Sequence, residues 1–531
     1  MAPDPIPSVP TRRPVELVWV VLACLAAFAG RLALAEPEPT FPDSFTYLAT
    51  SRAMGQGHLT TTFREGINTY YPPLYPLATA LLTPLVGTIE RAGVMVSALA
   101  GSATIIPVWW LTRRVFGPTA AWIAVLLSAT NPLLVHWSTH ALTEPLFILL
   151  AVSAVAILFC ATEAGSVWWL MVGGLVCGLA YLTRVAGLPL FIFLAGFVVL
   201  FYLRIGTPFR DIMTRAAALC LGFALIALPY VSYLRTQLGY WSIGGTYGSV
   251  ADTLRYTGST DPLVWEESGG TNAPPDFGAK VDQNLGDYAH AFTLANSASL
   301  LFALIAFLPW RTGAPPPRSG RVLLGAAVAA IVATPVLIGS VPYLFERVRY
   351  VSPAIPLVLI LASGGVVHLA AVAARARAVI ITLSVVAMIS ASLLFMLSVP
   401  GLRFYPAWKA AEPSRQKAVG QWMKTHLPPP LVVMARRPAV PYFADAVWHI
   451  TPLTLTELFA TARQQSVGYV VVDRRVDGNL RSEITAVLDA TRLPAGLDLM
   501  SSYRLSDGRV AMAVYKISGS DTLPITPLNH D

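Results

Sequence analysis

The sequence predicts an α-helical, polytopic membrane protein that ends in a small α/β domain. Three observations lead there. Of the 531 residues 55% are hydrophobic and 12% charged, about half the charged share of an ordinary soluble domain. Apolar stretches of about 17–25 residues, the length that crosses a bilayer as a helix, recur along residues 1–399. Beyond Pro400 the composition turns ordinary and mixed. A single soluble domain of this length needs more polar surface, and disordered or collagenous chains are excluded by composition.

The spans fall near residues 16–35, 91–111, 118–137, 143–161, 167–184, 186–203, 215–235, 293–310, 322–341, 349–371 and 378–398. That is about eleven transmembrane helices. The first follows Arg12 and Arg13 and lacks a convincing cleavage site, so it reads as a membrane helix rather than a removable leader. Arginines collect in alternate short loops: Arg113 and Arg114; Arg204, Arg210 and Arg215; Arg311, Arg318 and Arg321; Arg375 and Arg377. The positive-inside rule then sets the N-terminus in the cytoplasm of a cell membrane and the C-terminal domain outside it. Three outer segments result: residues 36–90, the turn around His140 to Glu144, and residues 236–292.

Residues 1–399 therefore form the membrane domain and residues 400–531 an extracytoplasmic domain with a loose tail. The second unit reads as helices over residues 416–424, 455–465 and 482–490. Strands are expected over 431–434 and 467–473, with a hairpin of 497–505 and 510–517 turning at Asp507-Gly508.

The net charge of +8 does not indicate nucleic acid, because the 37 basic residues are spread thinly, without a run. The four cysteines, Cys24, Cys160, Cys177 and Cys220, lie in apolar stretches without a CxxC pair and read as small packing residues. No Walker motif, GxSxG, HExxH or Gly-rich nucleotide cradle occurs, which argues against a cytosolic sugar-nucleotide enzyme.

Ionisable groups at the outer ends of helices are the best guide to chemistry, since topology does not require them and burial makes them costly. Asp43, in Phe41-Pro-Asp-Ser, suits a general base; the plainer alternative is an N-cap for a helix over residues 44–54. Glu144, after the cap candidate Thr143 and before Pro145, is either a dipole-favoured first-turn acid or a second carboxylate facing Asp43. Arg184, Arg347 and Arg349 fall on the outer face, where the positive-inside rule does not explain them. Their forked guanidinium suits phosphate, and snorkelling is the alternative. His136, His140 and Glu144 are spaced as one helical face, so His140 with Glu144 is a candidate divalent-metal pair, although the prolines at 132 and 145 interrupt that helix. Tyr70, Tyr71 and Tyr75, in a Pro-rich aromatic segment, are candidates for a sugar or lipid contact or for an interfacial belt.

Taken in order, these landmarks resemble the polytopic glycosyltransferases of the C superfamily (GT-C). The nearest resemblance is to bacterial family 39, related to protein O-mannosyltransferases and to the lipid A aminoarabinose transferase. The motifs are Pro42-Asp-Ser-Phe-Thr-Tyr-Leu-Ala, Tyr71-Pro-Pro-Leu-Tyr-Pro-Leu, Arg91 through Arg113-Arg-Val-Phe-Gly, Leu142-Thr-Glu-Pro-Leu-Phe, Gly178-Leu-Ala-Tyr-Leu-Thr-Arg and Arg349-Tyr-Val-Ser-Pro-Ala-Ile-Pro-Leu. Where the family usually has Asp-Glu, this chain has Asp43-Ser44. The resemblance implies a GT-C fold and transfer of a sugar from a polyprenyl-phosphate donor to a hydroxyl of a glycan, lipid or protein acceptor. In that scheme Asp43 is the base and the arginines hold the leaving phosphate. Glu144 orients the acceptor or holds a divalent ion, with no other cofactor required. A transporter or flippase of a lipid-linked or acidic solute, or an envelope scaffold with a degenerate site, are the rival readings. Two related halves, frequent in transporters, are not visible in the sequence.

Overall fold

Long uncharged runs of Leu, Val, Ala and Phe set the architecture, because in lipid each backbone polar group must be bonded within its own segment. The computed structural model describes residues 13–35, 38–39, 41–58, 63, 71–244, 277–309, 318–338, 344–399, 412–477, 481–505 and 507–518. Among these, nine helices are long and apolar enough to cross a membrane. A tenth span is the pair α6 (Pro118–Thr130) and α7 (Pro132–Ser138), bent by 53° at Asn131-Pro132, and the 17-residue helix Val167–Thr183 is slightly shorter. Counting the bent pair, ten of the about eleven expected spans are thus long and apolar enough among the described residues, and the remaining one coincides with the shorter Val167–Thr183.

The first helix, α1 (Arg13–Ala33), is followed by two helices inside the first outer segment, α2 (Pro42–Gly55) and α3 (Leu74–Val86). Next come α4 (Ile89–Ala103) and α5 (Ile105–Phe116), which form one span. After α7 the chain turns into α8 (Glu144–Ala164), then α9 (Val167–Thr183), α10 (Gly187–Arg204) and α11 (Phe209–Leu238). The membrane region ends with α12 (Phe277–Ile305), α13 (Arg318–Ile338), the short α14 (Leu344–Val351), α15 (Ile355–Val372) and α16 (Arg377–Ser398). Most of the expected outer loop, residues 245–276, lies outside the described residues. Helix α12 begins well before the expected residue 293, because its polar first half extends the helix beyond the apolar stretch, with a kink at Ser297.

Chain direction sorts the two ends of the bundle. Helix α8 starts at Glu144 and ends at Ala164, and the carbonyl of its C-cap Gly165 accepts from Arg215. Gly165 and Arg215 thus share one end, and α2, α14 and the start of α8 share the other.

The C-terminal domain is a five-stranded sheet in the order β2-β1-β3-β5-β4. Its strands are β1 (Val432–Met434), β2 (Val447–His449), β3 (Tyr469–Asp473), β4 (Leu497–Arg504) and β5 (Val510–Ile517). β1 pairs with β2 and β3 in parallel, while β3, β5 and β4 pair antiparallel. The hairpin turns at Gly508, whose φ of +84° suits glycine. Helices α17 (Glu412–His426), α18 (Ala439–Ala444), α19 (Leu455–Gln464), α20 (Arg474–Asp477) and α21 (Ser482–Ala486) complete it. The domain does not stand apart. One apolar core joins Phe45 and Leu48 of α2 and Val94 of α4 to Met423, Val440, Tyr442 and Trp448.

Candidate active site

Four elements converge at one end of the bundle, and each brings one charge. Pro42 opens α2 at its first position, a role for which its fixed φ is suited. Asp43 follows in the first turn, and no side chain caps the helix. The N-cap reading of Asp43 is therefore wrong, and the carboxylate is directed elsewhere. Its Oδ1 accepts from the Tyr71 hydroxyl at 2.7 Å and its Oδ2 from Arg349 Nη1 at 2.6 Å. Glu144 opens α8. Its Oε1 accepts from both Arg184 Nη1 and Arg349 Nε. Arg184, the extended C-cap of α9, also donates to Thr143 Oγ1 at 3.0 Å. The Thr143 hydroxyl accordingly serves the arginine and caps no helical N–H.

Two carboxylates and two guanidiniums thus form one chain of ion pairs, Asp43–Arg349–Glu144–Arg184, with no net charge. Exposure ranks its members. The Glu144 side chain is 0% exposed, Arg349 11%, Arg184 14% and Asp43 30%. Asp43 is the member that an incoming molecule reaches first. Burial pushes the Asp43 carboxyl up. The Arg349 guanidinium, the Tyr71 hydroxyl and Arg184 pull it down, and the net shift is below the usual carboxylate value.

Backbone ties hold the acidic segments in register. Ser44 donates to the Ala141 carbonyl at 2.8 Å, joining the start of α2 to the turn before Glu144. Ser97 donates to the Leu142 carbonyl at 2.9 Å, and Tyr75 donates to Gly93 at 2.8 Å beside it. Phe41 packs between His140, His136, Trp137 and Phe345, which seats the residue preceding Pro42.

Several expectations need correction. Glu144 is fully enclosed, so it does not face an acceptor; it positions the two arginines. Arg347 does not join the cluster. It lies two residues from Arg349 on α14, which turns it about 200° around the helix, and it pairs with Asp287 of α12 at 2.8 Å. Tyr75 is 0% exposed and belongs to the packing network behind the site, which rules out a direct substrate contact. Tyr70 lies outside the described residues, whereas Tyr71 reaches the site through Asp43. The helical metal face is broken: α7 ends at Ser138, and His140 Nδ1 lies 2.7 Å from the His136 carbonyl. Among the described residues no group of three or more His, Cys, Asp or Glu is arranged to hold a metal. The two guanidiniums on Glu144 Oε1 already offset its charge and oppose a further cation there. Sequence reasoning missed Ser44, Thr143 and Asp287. A Ser directly after the candidate base is the one signal that pointed at Ser44, and the other two contacts are set by tertiary packing alone.

Comparison with solved structures places this arrangement. ArnT from Cupriavidus metallidurans bound to undecaprenyl phosphate superposes with a TM-score of 0.57 at 16% identity, over 96% of this chain and 100% of that one. The chain has the GT-C fold. Other GT-C structures agree. The archaeal oligosaccharyltransferase AglB from Archaeoglobus fulgidus, in complex with an inhibitory peptide and a dolichol-phosphate, gives 0.52 at 15% identity, over 96% of this chain and 75% of that. The arabinofuranosyltransferase AftD from Mycobacteria gives 0.54 at 16% identity, over 96% and 40%. Residues 71–233 match the sequence profile of the family described as dolichyl-phosphate-mannose-protein mannosyltransferase. No curated protein matches the sequence. Within this GT-C fold the matched residues contain Tyr71, Glu144 and Arg184, while Asp43 and Arg349 lie outside them.

Proposed function

We propose that this protein is a membrane glycosyltransferase that moves a sugar from a polyprenyl-phosphate donor to an acceptor hydroxyl at the extracytoplasmic face, with inversion. The observation that carries the reading is the Asp43–Arg349–Glu144–Arg184 cluster, with its one accessible carboxylate, in a GT-C fold. The lipid phosphates named for ArnT and AglB support the donor class.

The reaction follows from the charges. The acceptor oxygen attacks the anomeric carbon, the bond from that carbon to the phosphate oxygen breaks, and the polyprenyl phosphate departs with the electron pair. The leaving group is already good, so no general acid is needed. Arg184 and Arg349 neutralise it where water is scarce and charge interactions are strong. Asp43 takes the acceptor proton.

The resting cluster adds a step. Arg349 is shared between two carboxylates, and its Nη2 has no acceptor. A donor phosphate competes for this guanidinium and draws it from Asp43. Burial then dominates at Asp43, its pKa rises, and a better base results. Donor binding thereby arms the base before the acceptor reacts.

The test is sugar transfer in purified membranes, supplied in turn with labelled polyprenyl-phosphate mannose, arabinose and aminoarabinose, comparing wild type with Asp43→Asn. Label should enter a new product with wild type and fall about 10²–10⁴-fold with the variant. Near-normal transfer by a well-folded Asp43→Asn protein removes Asp43 from the chemistry. No transfer by wild type from any donor favours a transporter or a scaffold.

A further inference from the structure

Tyr47 follows Asp43 by four residues on α2, one helical turn along the same side. It is 3% exposed. Its ring meets the Tyr71 ring edge to face, with centroids 4.6 Å apart, and the Tyr75 ring at 5.6 Å. Edge-to-face contact is a favoured arrangement of aromatic rings. Tyr75 is itself fixed. It is fully buried, donates to the Gly93 carbonyl at 2.8 Å and lies 3.1 Å from Ser97 Oγ. Three rings therefore lead from the backbone of α4 to the hydroxyl that Asp43 accepts from.

Tyr71 needs such a support. It lies ahead of α3, in no helix or strand, and is half-buried. Pro72 narrows its backbone freedom, but the direction of the phenol is set by what the ring meets. The Tyr47 hydroxyl has a lesser share in the site. It lies 3.5 Å from Thr143 Oγ1, too long for a firm hydrogen bond, and Thr143 already accepts from Arg184 at 3.0 Å. Burial above all, and then the Asp43 carboxylate, push this hydroxyl well above the ordinary tyrosine range. It stays neutral and is no rival base.

We propose that Tyr47 is a positioning residue whose ring holds the Tyr71 hydroxyl on Asp43. Without that ring Tyr71 swings off the carboxylate, and Asp43 loses a donor that favours its charged form. The other charges around Asp43 stay in place. Arg349 on α14 and Arg184 after α9 still favour the carboxylate, and Glu144 of α8 remains bonded to both arginines. His136 and His140 pack on Phe41, two residues before Asp43. Asp43 therefore titrates higher once Tyr71 is released. The effect on turnover rests on the proposed function; the effect on Asp43 itself does not.

The test follows Asp43 in the full chain in detergent. Dicyclohexylcarbodiimide, which attaches to protonated carboxyls, is reacted across a pH series, and the Asp43 peptide is quantified by mass spectrometry. The midpoint should rise by about one pH unit in Tyr47→Leu, as in Tyr71→Phe. It should keep the wild-type value in Tyr47→Phe, which retains the ring. The double variant Tyr47→Leu/Tyr71→Phe should shift no further than either single variant, because both act on one hydrogen bond. In sugar transfer the acid limb of kcat/KM should move in the same way, with the donor KM unchanged. An unmoved midpoint in Tyr47→Leu, an additive double variant, or a raised midpoint in Tyr47→Phe overturns the inference. The Tyr47→Phe arm decides the matter if Tyr47→Leu does not fold. Midpoints that move as expected in a protein that transfers no sugar overturn the proposed function and leave the positioning role standing.

Discussion

At the scale of single residues, Asp43 is defined by the two groups that fix its oxygens. Its lowered pKa gives a stability contribution that is present above the unfolded carboxyl range. The contribution is lost as pH falls through the lower folded value. The same shift keeps the Asp43 carboxylate ionised in mild acid. Tyr71→Phe removes the hydroxyl that favours the charged form, so Asp43 should titrate higher. The acid limb of kcat/KM should move up by about one pH unit, while a variant whose limb stays put shows Tyr71 irrelevant to Asp43. These four charges were legible in the sequence because each breaks a membrane rule: Asp43, Glu144, Arg184 and Arg349 sit where neither topology nor solubility asks for them. Their division of labour was not legible. Glu144 reads like a second catalytic acid until its enclosure is seen, and Arg347 reads like Arg349 until Asp287 claims it.

At the scale of elements, α2 works through two faces. One presents Asp43 and Tyr47 to the site. The other enters the core of the C-terminal domain, where Phe45 packs edge-on against Tyr442 at 5.4 Å and Phe443 at 6.0 Å. Farther along, Arg52 meets Asp445 at 3.1 Å, and the Phe63 carbonyl accepts from the Trp448 backbone N–H at 2.6 Å. The sheet domain therefore seats the helix that carries Asp43. Phe45→Ala should cost about 3–5 kcal/mol of local packing and speed amide exchange in α2 while leaving α8 unchanged. Equal exchange in both forms separates the domain from the base. The long helices of this region were legible from apolar length, and the hairpin from its turn residues. Strand β2 and helix α18 were not, because three and six residues are too few for a periodic signal to stand out.

At the scale of the whole molecule, the bundle is polarised: Gly165 and Arg215 lie at one end, and the four-charge cluster and sheet domain at the other. The topology expected from the positive-inside rule, with the Arg215 end in the cytoplasm, is testable by labelling. Arg509→Cys, at a hairpin tip where the native side chain is 68% exposed, should react with an impermeant maleimide in intact cells, and Arg210→Cys only after permeabilisation. The reverse pattern turns the protein over in the membrane. The eleven-span plan was readable because membrane thickness dictates helix length. The union of the sheet domain with α2 was not, since that interface is built from residues far apart in the chain. The neutrality of the four-charge cluster has a consequence for selectivity. A small dissolved phosphate finds no bare cation at Asp43 and gains too little to prise Arg349 from its two carboxylates. A donor whose prenyl chain stays in hydrocarbon brings about 0.8 kcal/mol for each methylene it keeps from water, and it arrives already concentrated at the membrane. On the proposed function, membrane anchorage itself would screen the substrates, refusing soluble sugar phosphates without any contact that reads their sugar.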